Sequence, residues 1–244
     1  MARRATSFLS AVLTLAVFAG AASAQDEHQV ARRSLWDLFQ STGVVGVLLV
    51  LTSIVGTALL IQYLVHMNET KIGNPALLSE VDALLSENDL DGAFELAQSD
   101  PSYAGKVMAG AIVRSGGGYE EAIRGLDESA ALQNFKLNAK LSYLSLVGNI
   151  GPLLGLLGTV TGMISSFQVI ESLIAPKPAD LAKGVYESLV NTTLGLFISI
   201  VFLSAYFFMK NKVSDITLQA NTTIGEILSR NLSPEARGGG GTVR

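Results

Sequence analysis

Side chains able to handle an ion are few in the apolar parts of this 244-residue chain, and they fall in two stretches. In the first, Thr159 and Ser166 accompany glycines at 148, 151, 155, 158 and 162. In the second, Ser188, Thr192, Gly195 and Ser199 recur at steps of four, three and four. At about 100° per residue each set gathers on one helical face, so two helices would each carry a small, hydroxyl-bearing stripe. Hydroxyls can solvate a cation or pass a proton on, but they do not titrate near neutral pH. Glu187 opens the second stretch, where a helix N-terminus favours a carboxylate. No residue is charged between Lys140 and Glu171, or between Glu187 and Lys210. An ion route through hydrocarbon needs a group that binds and releases the ion, and these stretches have none. A titrating group would have to come from another polypeptide.

The glycines need a second explanation, since each costs about 1 kcal/mol relative to Ala in an ordinary helix interior. In lipid, helices do not associate by the hydrophobic effect, and small residues that let backbones approach make the interface. Gly148, Gly151, Gly155, Gly158, Gly162 and Gly195 are therefore expected to form a helix-packing face. Ser166, Ser188 and Ser199 are expected to turn small polar groups toward a shared surface. Pro152 removes one backbone donor, which a membrane helix tolerates where neighbours re-satisfy the freed carbonyl. Packing without any conduction, a structural scaffold, explains the glycine stripe equally well at this point.

The elements that would position these residues follow from hydropathy. The chain is 49% hydrophobic and only 16% charged, with a mean hydropathy of +0.41, a membrane-protein composition. Arg3 and Arg4, an apolar run from Phe8 to Ala19 and Ala22-Ser23-Ala24 read as a signal peptide over residues 1–24. An outer N-terminal segment, 25–42, leads into a first transmembrane helix at 43–66, with Trp36 and Tyr63 near its ends, where amphipathic rings favour the headgroup boundary. A helical cytoplasmic loop follows at 67–140, then a second transmembrane helix at 141–170, an outer hairpin at 171–184 and a third transmembrane helix at 185–209. Residues 210–244 form a cytoplasmic helical extension and a flexible Gly-rich tail. Lysine and arginine fall mainly on the loop (Lys71, Lys106, Arg114, Arg124, Lys136, Lys140) and tail side (Lys210, Lys212, Arg230, Arg237, Arg244), against Arg32, Arg33, Lys177 and Lys183 outside. That bias puts the mature N-terminus outside and the C-terminus in the cytoplasm.

Within the loop, Leu77, Leu78, Val81, Leu84 and Leu85 have the spacing of a helix with one buried face. Asp100-Pro101 reads as a helix start, and Ser115 to Gly118 as a break. From Tyr119 no strong breaker occurs before Gly148, so one helix should run from the loop into the second span. Val213, Ile216, Ala220 and Ile227 carry the third span onward at roughly heptad spacing. The fold class expected is an all-α membrane protein with three transmembrane helices and long helical extensions.

Several chemistries are excluded. The chain has no cysteine and only two histidines, so no thiolate metal site, thiol nucleophile or metal cluster is expected, and no cofactor. Gly155 to Gly162 lacks the lysine of a phosphate-binding loop, and no Ser/His pair, His-Glu-x-x-His run or carboxylate pair lies in the spans; an enzyme is not expected. A net charge of −4 gives no basic footprint for nucleic acid.

Two motifs carry a resemblance. Gly151-Pro152-Leu153-Leu154-Gly155-Leu156-Leu157-Gly158-Thr159-Val160 with Gly162 and Phe167, and Gly184-Val185-Tyr186-Glu187-Ser188-Leu189-Val190-Asn191-Thr192-Thr193-Leu194-Gly195-Leu196, resemble the ExbB/TolQ/MotA proteins, bacterial inner-membrane stators driven by an ion gradient. The likeness extends more loosely through the loop, over nearly all of the mature chain. It departs from many relatives at Gly151, where they have alanine, and at Thr161, where a bulky residue is common. The resemblance implies a homopentamer whose second and third spans line a pore, with Thr159, Thr192 and Glu187 on the ion pathway and Ser166, Ser188 and Ser199 facing the pore. It implies partnership with an ExbD/TolR-like single-span protein carrying an essential aspartate, and through it with a TonB-like or TolA-like protein.

Overall fold

The computed structural model describes residues 43–67, 69–173 and 177–233; the signal peptide, the outer N-terminal segment with Trp36, and the Gly-rich tail lie outside them. Among the described residues the structure is helical throughout. Helix α1 (Gly43–His66) is followed by the short α2 (Glu69–Ile72), α3 (Pro75–Ser86), α4 (Leu90–Ser99) and α5 (Tyr103–Arg114). A 3₁₀ turn (Ser115–Gly117) leads to two long helices, α6 (Tyr119–Ser172) and α7 (Pro178–Leu232). Stretches of α1, α6 and α7 are long and apolar enough to cross a membrane, with hydropathies of 2.7, 1.6 and 1.9.

At 1.5 Å per residue, the 54-residue α6 and 55-residue α7 are each about 80 Å long, well beyond a hydrocarbon core of about 30 Å. They pack on each other along most of their lengths. The α6 contact line runs Leu141, Leu144, Gly148, Gly151, Gly155, Gly158, Gly162, an unbroken alternation of three and four. That is the seam of a left-handed helix pair. Its residue type changes along the helix: leucine on the loop side, glycine from Gly148 on. The leucines lie in the first turns after Lys140, at the edge of the span, and the glycines deeper in it, where close backbone approach makes a helix contact. On the loop side α7 buries Met209, Val213, Ile216, Ala220, Ile224 and Ile227. The repeated step of four, 216 to 220 and then 220 to 224, is the drift a nearly straight helix shows against a strict heptad.

The loop helices cover this stem. Asn74 caps α3, with Pro75 at its first turn, and Asp89 caps α4 by accepting from Gly92 N at 2.9 Å. In α3, Leu77, Leu78, Val81 and Leu85 are buried and Leu84 packs against the core. The α5 start differs from the Asp100-Pro101 expectation. Ser102 is the cap, accepting from Gly105 N, while Asp100 accepts from Ser102 N at 2.7 Å and from Asn74 Nδ2 at 2.7 Å. Gly118, at φ +97°, makes the expected break before α6. α7 already starts at Pro178, so the second half of the expected 171–184 hairpin is helix.

Tyr103 joins α5 to α7, donating to Asn221 Oδ1 at 2.9 Å. Burial pushes its phenol above the ordinary value of 10.0, with hydrogen bonds to Asn221 and Asn134 pulling the other way. The unfolded chain then loses this proton first. The stabilisation is complete below about pH 10 and declines as pH climbs through the folded pKa. Tyr103→Phe should lower stability by about 1 kcal/mol at neutral pH and reduce the alkaline decline, both readable in thermal melts across pH.

Candidate functional site

The site is built on the glycine half of the seam. A Cβ on Gly151 would stand 2.7 Å from Gly195 O, one on Gly155 3.0 Å from Thr192 Cα, and one on Gly158 2.6 Å from Asn191 Cβ. A Cβ on Gly195 would collide with Gly151 O and one on Gly162 with Ser188 Oγ. Gly148 lies under Leu203. All six glycines of the expected packing face therefore meet α7 or, for Gly195, α6, within a single chain.

The three serines require a correction. Ser166, Ser188 and Ser199 are 3%, 3% and 8% exposed, inside the seam and not on a pore-facing surface. Ser166 Oγ donates to Gly162 O at 2.9 Å and Ser188 Oγ to Gly184 O at 2.6 Å. A hydroxyl that returns its proton to its own helix fills the seam without leaving an unpaired donor in hydrocarbon.

The threonines sit at the edge. Thr159 follows Gly155 by four residues, about 40° round α6 from it, and Thr192 follows Ser188 by four, about 40° round α7. In an antiparallel pair the two chains rotate in opposite senses when seen from one end. Two residues each displaced forward from its own contact line therefore emerge on the same flank. Thr159 Oγ1 donates to Leu156 O at 2.7 Å, and Thr192 Oγ1 crosses the seam to Gly155 O at 3.1 Å. Both oxygens keep acceptor capacity. Glu187, five residues before Thr192, lies about 140° from it, on the other flank. Of the three residues expected on the ion pathway, the two threonines thus share a flank within the chain and Glu187 lies on the other.

Sequence reasoning missed Asn191 as a seam residue. Only 5% exposed, it packs its side chain over Gly158, and the α7 contact line runs 184, 188, 191, 195, 198 in place of the stripe through Thr192. The alternation of four and three was the available signal. Tyr63 stands at the loop-side end of α1, as expected of a boundary ring, but faces the neighbouring helix and not lipid. Its ring is buried, and its hydroxyl donates to Lys140 O at 2.6 Å, pinning the end of α1 to α6. Higher up, Gly56 of α1 lies against the Phe202 ring of α7.

Among the described residues no group of His, Cys, Asp or Glu could hold a metal ion. Three long apolar helices, two of them joined by a glycine seam and extended far past any bilayer, define a multi-pass helical membrane protein. Residues 99–222 match the model of the MotA/TolQ/ExbB proton channel family, and the chain belongs to that family. Among curated proteins it is similar to the Tol-Pal system protein TolQ of Pseudomonas aeruginosa, 28% identical over 200 residues, covering 74% of this chain and 85% of that one. The biopolymer transport protein ExbB of Salmonella typhimurium is 23% identical over 222 residues, covering 84% and 87%. A putative biopolymer transport protein ExbB homolog of Methanothermobacter thermautotrophicus is 22% identical over 183 residues, covering 73% of this chain and 64% of its own length. The family is a channel family, not an enzyme family.

Proposed function

We propose that this protein is the ring-forming subunit of a proton-driven stator, coupling the transmembrane ion gradient to motion of an ExbD/TolR-like partner in the bacterial inner membrane. The partner's single span carries the titrating aspartate, and five copies of α6 and α7 surround it, with the mature N-terminus periplasmic and the C-terminus cytoplasmic. The flank bearing Thr159 and Thr192 faces the common axis. Glu187 acts electrostatically near the outer mouth from the other flank of α7. The complex energises TonB-dependent transport or a Tol-Pal-like envelope process, as the names of the relatives suggest.

The observation that carries this reading is the threonine flank: two hydroxyls from two helices emerge side by side in spans without charged residues. Their remaining lone pairs are available to a carboxylic acid or a hydrated ion. A sealed scaffold has no need of paired hydroxyls at the edge of a glycine seam.

The chain has no native cysteine, so a single introduced thiol is the only one present. Thr159→Cys in the assembled protein should be cross-linked copy to copy by a short bismaleimide. Ile54→Cys, 60% exposed on α1 and outside the proposed ring, should not. Cross-linking at Ile54 with none at Thr159 would overturn the arrangement.

A further inference from the structure

We infer that the loop-side end of the spans holds a binding site for the phosphate of an anionic phospholipid. A cleft of about 900 Å³ opens where the end of α1, the α2 segment, the start of α5 and residues 133–143 of α6 meet. Lys71, Lys106, Lys136 and Lys140 line it, brought together from three separate parts of the chain. Among the described residues none of the four is ion-paired. Among the described residues of the lining the one carboxylate, Asp100, already accepts from Asn74 and from the Ser102 backbone. The described lining therefore carries four ammonium groups against one carboxylate.

Its level along the helices selects the occupant. Lys140 is the last charged residue before the uncharged part of α6, and the Tyr63 hydroxyl on the Lys140 carbonyl fixes the α1 end at the same height. The cleft thus begins at the edge of the hydrocarbon and extends away from it. Tyr143 and Phe135, 58% and 72% exposed, add aromatic surface where rings favour the headgroup boundary. Basic pockets at such a boundary attract anionic headgroups, each lysine contributing about fivefold in affinity. A headgroup tethered by its acyl chains is delivered to this height, whereas a free phosphate gains nothing from it. The inference depends only on the chain's spanning a membrane, and not on ion coupling.

The test uses the full chain in nanodiscs of phosphatidylcholine doped with phosphatidylglycerol, with retained lipid counted by native mass spectrometry. Lys136→Gln/Lys140→Gln is compared with Lys210→Gln/Lys212→Gln, which removes the same charge beyond the α7 span and outside the cleft. The expected result is preferential retention of phosphatidylglycerol by the wild type, a loss of about tenfold or more in the cleft variant, and little change in the α7 variant. Equal losses in the two variants would reduce the effect to general surface charge and overturn the site. Displacement of the lipid by millimolar inorganic phosphate would reassign the cleft to a soluble anion. No lipid in the wild type, with cross-links between copies through the cleft, would assign it to a subunit contact. Size-exclusion profiles of both variants should match the wild type, since all four substituted lysines are exposed.

Discussion

Gly195→Leu is expected to abolish the assembled protein, and Gly195→Ala to weaken it severely. The atoms a Cβ would meet at this position are backbone atoms: Gly151 O, and Gly155 Cα at 3.1 Å. Neither can swing aside as a side chain can, so α6 and α7 must separate. Overpacking a tight contact costs about 1–3 kcal/mol for a small group. Here separation also loosens the neighbouring contacts at Gly151, Gly155 and Gly158, because all lie on one line. Gly225 provides the control. It lies in the same helix with nothing within 4 Å of a built Cβ, so Gly225→Ala should stabilise by up to about 1 kcal/mol through helix propensity alone. Melting temperature in detergent and the yield of folded oligomer distinguish the two. Equal behaviour of Gly195→Ala and Gly225→Ala would mean that the seam does not hold the spans together.

The second large effect concerns the flank beside the seam. Thr159→Val and Thr192→Val should leave folding nearly intact while removing most energy transduction. The Thr159 hydroxyl bonds only within its own helix, so its loss costs the fold little. Thr192 gives up a bond across the seam to Gly155 O, and such bonds in membranes average about 0.6 kcal/mol. A hydroxyl that contacts a charged group contributes about 1.5–3 kcal/mol, so its removal slows the ion step by roughly ten- to a hundredfold. Thr159→Ser and Thr192→Ser keep the oxygen and should restore transduction. Valine variants that transduce normally would remove these hydroxyls from the mechanism. Serine variants as inactive as valine would point to the methyl group and to packing.

The glycine spacing was legible because a seam of this kind needs small residues at alternating steps of three and four, and five glycines in that order leave little choice of face. Their partner was less accessible: the stripe on α7 includes both Asn191 and Thr192, adjacent residues about 100° apart, and only the packed structure puts Asn191 over Gly158 with Thr192 at the edge. The serines misled for the same reason. A small polar side chain in hydrocarbon reads alike whether it lines a pore or fills a contact, and only the packed structure, with Ser166 against Gly184 and Ser188 against Gly162, decides for the contact. Tyr63 was ambiguous as well, since an aromatic ring at a span end suits both the lipid boundary and a neighbouring helix. The α5 start shifted because Asp100, Pro101 and Ser102 offer two overlapping caps, and Asn74 engages Asp100 from a segment distant in sequence. The long helices were legible from the lack of breakers after Tyr119, and the loop-side cleft was not, since its four lysines converge only on folding.

In the proposed stator these spans provide hydroxyls and close packing, and a second polypeptide provides the titrating acid. Proton uptake into vesicles under an imposed gradient tests it directly, comparing the chain alone with the chain co-reconstituted with a single-span partner bearing a membrane aspartate. The expected result is no uptake above empty vesicles for the chain alone, and uptake with the partner that disappears when its aspartate becomes asparagine. Uptake by the chain alone at the rate of the complex would contradict the account.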